Sequence, residues 1–117
     1  MTSLAIQEST LSIKGLNNKS KITIQSKKLR NAAMVIRAIN HGLRQDIIKL
    51  IEKNGKMTVS EIYAKLKLEQ SVASQQLAIL RNAGILSTER EGKYIHYSIN
   101  VDRIKNIQSF IEDIVNY

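Results

Sequence analysis

Apolar residues recur along this chain at two different periods, and the change from one to the other marks out its elements. From Ser26 onward, Leu29, Ala32, Ala33, Ile36 and Ile39 follow the i, i+3, i+4, i+7 spacing of one helical face, which Met34 and Val35 widen. A second helix follows Gly42, with Leu43, Ile47, Leu50 and Ile51 in register and Gly55 placed to end it. Both helices are expected in the core. Residues 1 to about 25 show no sustained helical period, and Gly15 and Asn17-Asn18 interrupt any regular element. This segment reads as a mobile basic N-terminal tail, 1–25, ahead of one folded domain, 26–117.

The densest patterning runs from Met57 to Asn100. Thr58 and Glu61 have the S/T-x-x-E spacing of a capping box, and Met57 and Ile62 fit the hydrophobic staple that accompanies it. Val59, Ile62, Tyr63 and Leu66 then share the face of a helix of about two turns. Leu68 is the apolar residue of the link that follows, and it is expected to dock between this helix and the next. The next helix, about Gln70 to Ala83, buries Val72, Ala73, Leu77, Leu80 and Ala83. Its other side presents Ser71, Ser74, Gln75, Ala78 and Asn82, while Gln76 lies on the structural side. A helix facing only solvent would normally carry Lys and Glu there. Short hydrogen-bonding side chains near a helix N-terminus instead suit close approach to base edges and phosphates in a major groove.

Gly84 stands where a left-handed residue would stop that helix, with Ile85 able to pack back on Leu80. The chain then runs out through Ile85 to Arg90, turns at Glu91-Gly92 and returns through Lys93 to Ile99. Ile95, Tyr97 and Ile99 alternate with Tyr94, His96 and Ser98, which points to a strand with one buried face. Helix, turn, helix, hairpin is the order of a winged helix-turn-helix, mainly α with about five helices and a two-stranded wing. A last helix begins after the N-cap Asn100, with Asp102 in its first turn and a stripe of Ile104, Ile107, Ile111 and Ile114 beside Phe110 and Val115. That stripe and the wide first helix leave more apolar surface than a monomer needs. A homodimer joined through the first and last helices is expected.

Charge changes the picture from fold to partner. Among 117 residues, 18 Lys and Arg against 10 Asp and Glu give +8, which points to a polyanion such as nucleic acid or an anionic membrane surface. Residues 1–30 alone carry six Lys or Arg against one Glu, fitting either an electrostatic arm near phosphates or a solvated end. The absence of Cys excludes disulfides and thiolate metal sites. No apolar run is long enough to span a membrane and the N-terminus lacks the pattern of a secretion signal, so a cytoplasmic location is expected. With two His, no Cys and no Gly-rich phosphate loop, no catalytic constellation can be named, and no enzyme is expected.

From about Ala38 to Asn100 these residues resemble the ArsR/SmtB family of bacterial winged-helix repressors. The resemblance is carried by Leu43-Arg44-Gln45, by TVSEIYAKLKLEQSVASQQLAILRNAGIL and by REGKYIHYSI. It implies that Gln70, Ser71, Ser74 and Gln75 contact DNA, and that Arg90 and Lys93 add backbone or minor-groove contacts from the wing. Gln75 stands where many members have His, and Gly42-Leu43 where Pro-Thr is frequent. Many members sense a metal through Cys pairs in the first DNA-binding helix or through Asp, His and Glu on the last helix. Here the last helix offers only Asp102, Glu112 and Asp113, and His41 and His96 are the sole imidazoles, so no metal site and no cofactor is expected. The reading is a dimeric, sequence-specific DNA-binding regulator, a repressor on a palindromic operator. The alternative is a winged-helix module for protein–protein interaction.

Overall fold

The computed structural model describes residues 9–15 and 20–116. The chain divides into two compact units, Met1–Val35 and Ile36–Tyr117.

In the first unit, β1 (Thr10–Lys14) pairs antiparallel with β2 (Lys21–Gln25), with Leu11 opposite Ile24 and Ile13 opposite Ile22. Helix α1 (Ser26–Ile39) starts at the next residue, and the Ser26 amide donates to the Ser9 carbonyl at 3.1 Å. The expectation of a tail without regular structure is thus corrected for residues 10–14 and 21–25. Leu11, Ile13, Ile22 and Ile24 alternate with polar residues at period 2, a strand pattern that a search for helical period passes over. The rest of that segment, residues 1–8 and 16–19, lies outside the described residues. No described residue of this unit is buried. A second correction follows: of the helix expected in the core, only Ala38 is buried, while Leu29 and Met34 are at least half exposed. An apolar stripe records that a helix face needs a partner, without recording whether the partner lies in the same chain.

The second unit contains the last turn of α1, α2 (Gly42–Asn54), β3 (Lys56–Thr58), α3 (Val59–Leu66), α4 (Gln70–Asn82), β4 (Leu86–Glu91), β5 (Tyr94–Ile99) and α5 (Val101–Val115). Its sheet has the order β3-β5-β4, all antiparallel. The expected two-stranded wing is therefore extended at its root by a short third strand. Ile47 and Ile51 of α2, Ile62 of α3, Leu77 and Leu80 of α4, and Ile85 are fully buried and form the core under α3 and α4. At roughly 1.5–3 kcal/mol for each large aliphatic side chain taken out of water, these six dominate what holds the unit together. Leu68 is half-buried in the link, with its amide bonded to the Tyr63 carbonyl at 2.9 Å. Among the described residues no helix is long and apolar enough to cross a membrane.

Candidate nucleic-acid interface

The α3–α4 pair is built from its caps inward. Thr58 Oγ1 accepts from the Glu61 amide at 3.3 Å, and the Glu61 carboxylate accepts from the Thr58 amide at 2.8 Å, completing the capping box that opens α3. That backbone bond, with the Thr58 hydroxyl, holds the Glu61 carboxyl below its usual range. Met57 and Ile62, the staple pair, are both buried. Helix α3 ends on Lys67 in the left-handed conformation, φ 54° and ψ 47°, and the chain swings into α4 within three residues.

Helix α4 is divided lengthwise. Ala73, Leu77 and Leu80 are fully buried, whereas Gln70, Ser71, Ser74, Gln75 and Asn82 are exposed. The four residues expected to contact DNA therefore lie together in the first turn and a half of an accessible helix. Gln76 lies on the other side, as its spacing indicated. Its Oε1 accepts from Arg44 Nη1 at 2.8 Å, while Arg44 Nε and Nη2 donate to the carbonyls of Ala38 and Arg37 at 2.6 and 3.1 Å. One guanidinium thereby ties the end of α1 and the start of α2 to the back of α4. Two residues not singled out from the sequence are also exposed on α4: Arg81, the basic residue of its last turn, and Ile79 at the margin of the face. Arg81 was legible as a lone charge seven residues beyond Ser74, on the same side at helical spacing.

The end of α4 is a Schellman motif. The Gly84 amide bonds the Arg81 carbonyl and the Ile85 amide the Leu80 carbonyl, with Gly84 at φ 79°. Arg103 of α5 donates from Nε to the Ala83 carbonyl at 3.1 Å and lies where a Cβ on Gly84 would be, 3.0 Å from that same nitrogen. The exit from α4 into the wing is thus fixed from two sides.

In the wing, Glu91 pairs with Tyr94, so the turn residues are Gly92 and Lys93 and not the expected Glu91-Gly92. Gly92 has φ 63° and Lys93 does not have positive φ, which is the two-residue II′ geometry that matches strand twist. Lys93 therefore sits on the turn itself, its Nζ 5.4 Å from the Tyr94 ring centre, and Arg90 donates to the Gly92 carbonyl at 3.2 Å. Both basic residues are exposed at one tip. The expected single buried face of β5 is not seen: Ile95 is exposed, and His96 through Ile99 are all half-buried, because β5 is the central strand and its two sides are covered in part. Below the tip, Lys56 is hydrogen-bonded to Glu91, a contact that raises the lysine pKa and lowers that of the carboxyl. His96 Nε2 lies 3.9 Å from the same carboxylate. The acidic residue nearest the tip is thus neutralised by a neighbour, and the tip presents its positive charge outward.

Among the described residues no three His, Cys, Asp or Glu side chains come together, and His41 Nδ1 is taken up as the N-cap of α2, accepting from the Arg44 amide at 3.4 Å.

The sequence pattern of the bacterial regulatory proteins of the arsR family matches residues 42–88, the span from α2 through the start of the wing. A helix-turn-helix-type transcriptional regulator of Methanocaldococcus jannaschii is 36% identical over 87 residues, which cover 74% of this chain and 98% of that protein. The transcriptional repressor PagR of Bacillus anthracis is 31% identical over 78% of this chain and 91% of its own. The crystal structure of PagR superposes with a TM-score of 0.59 over 72% of this chain and 95% of that one. A winged helix-turn-helix DNA-binding domain of Mycobacterium bovis, described as homodimeric, shares the fold with a TM-score of 0.62 at 24% identity, covering 76% of this chain and 82% of that one. The chain belongs to the arsR family of bacterial transcriptional regulators, which are DNA-binding proteins of the helix-turn-helix type.

Proposed function

We propose that the chain is a cytoplasmic homodimeric repressor that reads a two-fold symmetric operator through Gln70, Ser71, Ser74 and Gln75 and grips the flanking backbone with Arg90 and Lys93. The observation that carries this reading is the exposed and uncharged run from Gln70 to Gln75 on one side of α4, held in place by the buried Ala73, Leu77 and Leu80 on the other. Amide and hydroxyl groups can bond base edges at close range, whereas the wing cations supply sequence-independent attraction. Arg81 joins the backbone contacts from the far end of the same helix.

The dimer reading is supported by an open apolar cleft of about 410 Å³ lined by Ile36 and Ile39 of α1 and by Phe110, Ile111, Ile114 and Val115 of α5. The last four are 41–62% exposed, a stripe that a second copy would cover. The Mycobacterium bovis domain that shares this fold is described as homodimeric, in keeping with a two-copy state. Two copies of α4 related by a two-fold axis would enter successive major grooves, so the site is an imperfect palindrome. Release of DNA is not coupled to a metal bound by the usual family ligands.

The test is fluorescence anisotropy on operator and scrambled duplexes. Ser74→Ala/Gln75→Ala lowers operator affinity about 10- to 100-fold, the loss of about one base contact at 1–3 kcal/mol, and leaves scrambled DNA unaffected. Unchanged operator affinity overturns the assignment of the reading face.

A further inference from the structure

We propose that the β1–β2 hairpin is a second dimerisation element, packing its aliphatic face against a second copy of this chain. The inference rests on the dimer reading above and extends it to residues outside α1 and α5. The register places Leu11, Ile13, Ile22 and Ile24 on one face, and Thr10, Ser12, Lys14, Lys21, Thr23 and Gln25 on the other. The four aliphatics are 53%, 50%, 58% and 39% exposed, and nothing in the described part of their unit is buried. A lone two-stranded hairpin is at best marginally stable in water, and this one has no core of its own. An ordered hairpin with an uncovered aliphatic face requires a cover.

Area and charge identify the cover. Within their own unit the four hairpin aliphatics expose on the order of 350 Å², and Leu29 and Met34 of α1 on the order of 200 Å² more, and with about 60% of an interface apolar this matches the roughly 800 Å² per partner of a stable one. The hairpin aliphatics alone are comparable to the largest apolar patch of an ordinary monomer. The hairpin is also continuous with α1, its ladder closing on the first residue of the helix through the Ser9–Ser26 bonds. The lysines do not oppose the contact. Lys14 and Lys21 face each other across the strands on the polar side, so when the aliphatic face is covered they remain outward.

The experiment uses the full chain. Sedimentation equilibrium measures the dimer dissociation constant of wild type, of Ile13→Lys/Ile22→Lys, of the opposite-face control Ser12→Lys/Thr23→Lys, and of Ile114→Lys on α5. The aliphatic-face variant weakens the dimer at least tenfold and the control less than twofold. A photoreactive benzoylphenylalanine at Ile22 gives a covalent dimer on irradiation, and the same group at Thr23 does not. A wild-type dimer that survives Ile13→Lys/Ile22→Lys overturns the hairpin proposal alone, and so does cross-linking from Ile22 only within its own chain. Survival of Ile114→Lys overturns the α5 interface and leaves the hairpin standing, whereas a monomeric wild type overturns both.

Discussion

Replacing Gln76 with Ala tests whether α4 is divided into a face that reads and a face that anchors. Gln76 Oε1 accepts a 2.8 Å bond from Arg44 Nη1 in a half-buried setting. A bond to a charged donor contributes about 1.5–3 kcal/mol when sequestered, and water can replace part of it here, so the expected loss is about 1–2 kcal/mol. Arg44→Ala removes that bond together with the donations to the Ala38 and Arg37 carbonyls and costs more, about 3–4 kcal/mol. For a domain of this size each kcal/mol lowers Tm by about 4–8 °C. Because both variants remove the same bond, the double variant is less destabilised than their sum, with a coupling of about 1 kcal/mol. Urea unfolding followed by circular dichroism gives all four corners of the cycle. Operator affinity of folded Gln76→Ala stays within about threefold of wild type, a change of less than about 1 kcal/mol. A coupling indistinguishable from zero, or a loss of operator affinity matching that of Ser74→Ala/Gln75→Ala, would refute the division of the helix.

The remaining predictions concern the cap, the helix stop and the wing. Gly84→Ala costs about 1–3 kcal/mol, since a Cβ is strained at φ 79° and would displace Arg103 from the Ala83 carbonyl; chemical denaturation measures it, and a neutral result would mean that the chain end relaxes freely. Glu61 has its pKa lowered in the folded state, so its contribution is present above its ordinary value of 4.5 and is lost as pH falls through the depressed one. The stability gap between wild type and Glu61→Gln therefore closes in acid, and a melt series in which the gap persists at the lowest pH contradicts the capping-box account. Lys93→Ala weakens binding to all duplexes alike and reduces the slope of log affinity against log salt by about 1; a change confined to the operator would make Lys93 a base reader.

The readability of this chain varied with the range of the interactions involved. Thr58 with Glu61, and Gly84 with Ile85 and Leu80, are short-range arrangements whose geometry depends on neighbours within five residues, and both form as their spacing indicated. The split of α4 was legible because helical period alone separates Leu77 and Leu80 from Ser71 and Gln75. Strand β3 was not, since Lys56–Thr58 becomes a strand only by pairing with Tyr97 and its neighbours, forty residues away. The β1–β2 hairpin was missed for a different reason: its alternation is short, and Gly15 and Asn17-Asn18 looked like disruption when they separate two pairing strands. Arg44 was recognised as part of a motif, but its three partners, two of them backbone carbonyls, have no signature in sequence.

The neutrality of the exposed first turn and a half of α4 has a kinetic side on the proposed reading. A helix that reads with amides and hydroxyls adds nothing to the long-range attraction that draws a protein to DNA, and it does not hold the protein at a wrong site once there. If α4 and the wing contact DNA as proposed, capture and sliding would depend on the basic wing and Arg81, while dwell time at the operator would depend on the serines and glutamines. Search speed and residence time become separately adjustable, the first by surface lysines and the second by one turn and a half of a single helix.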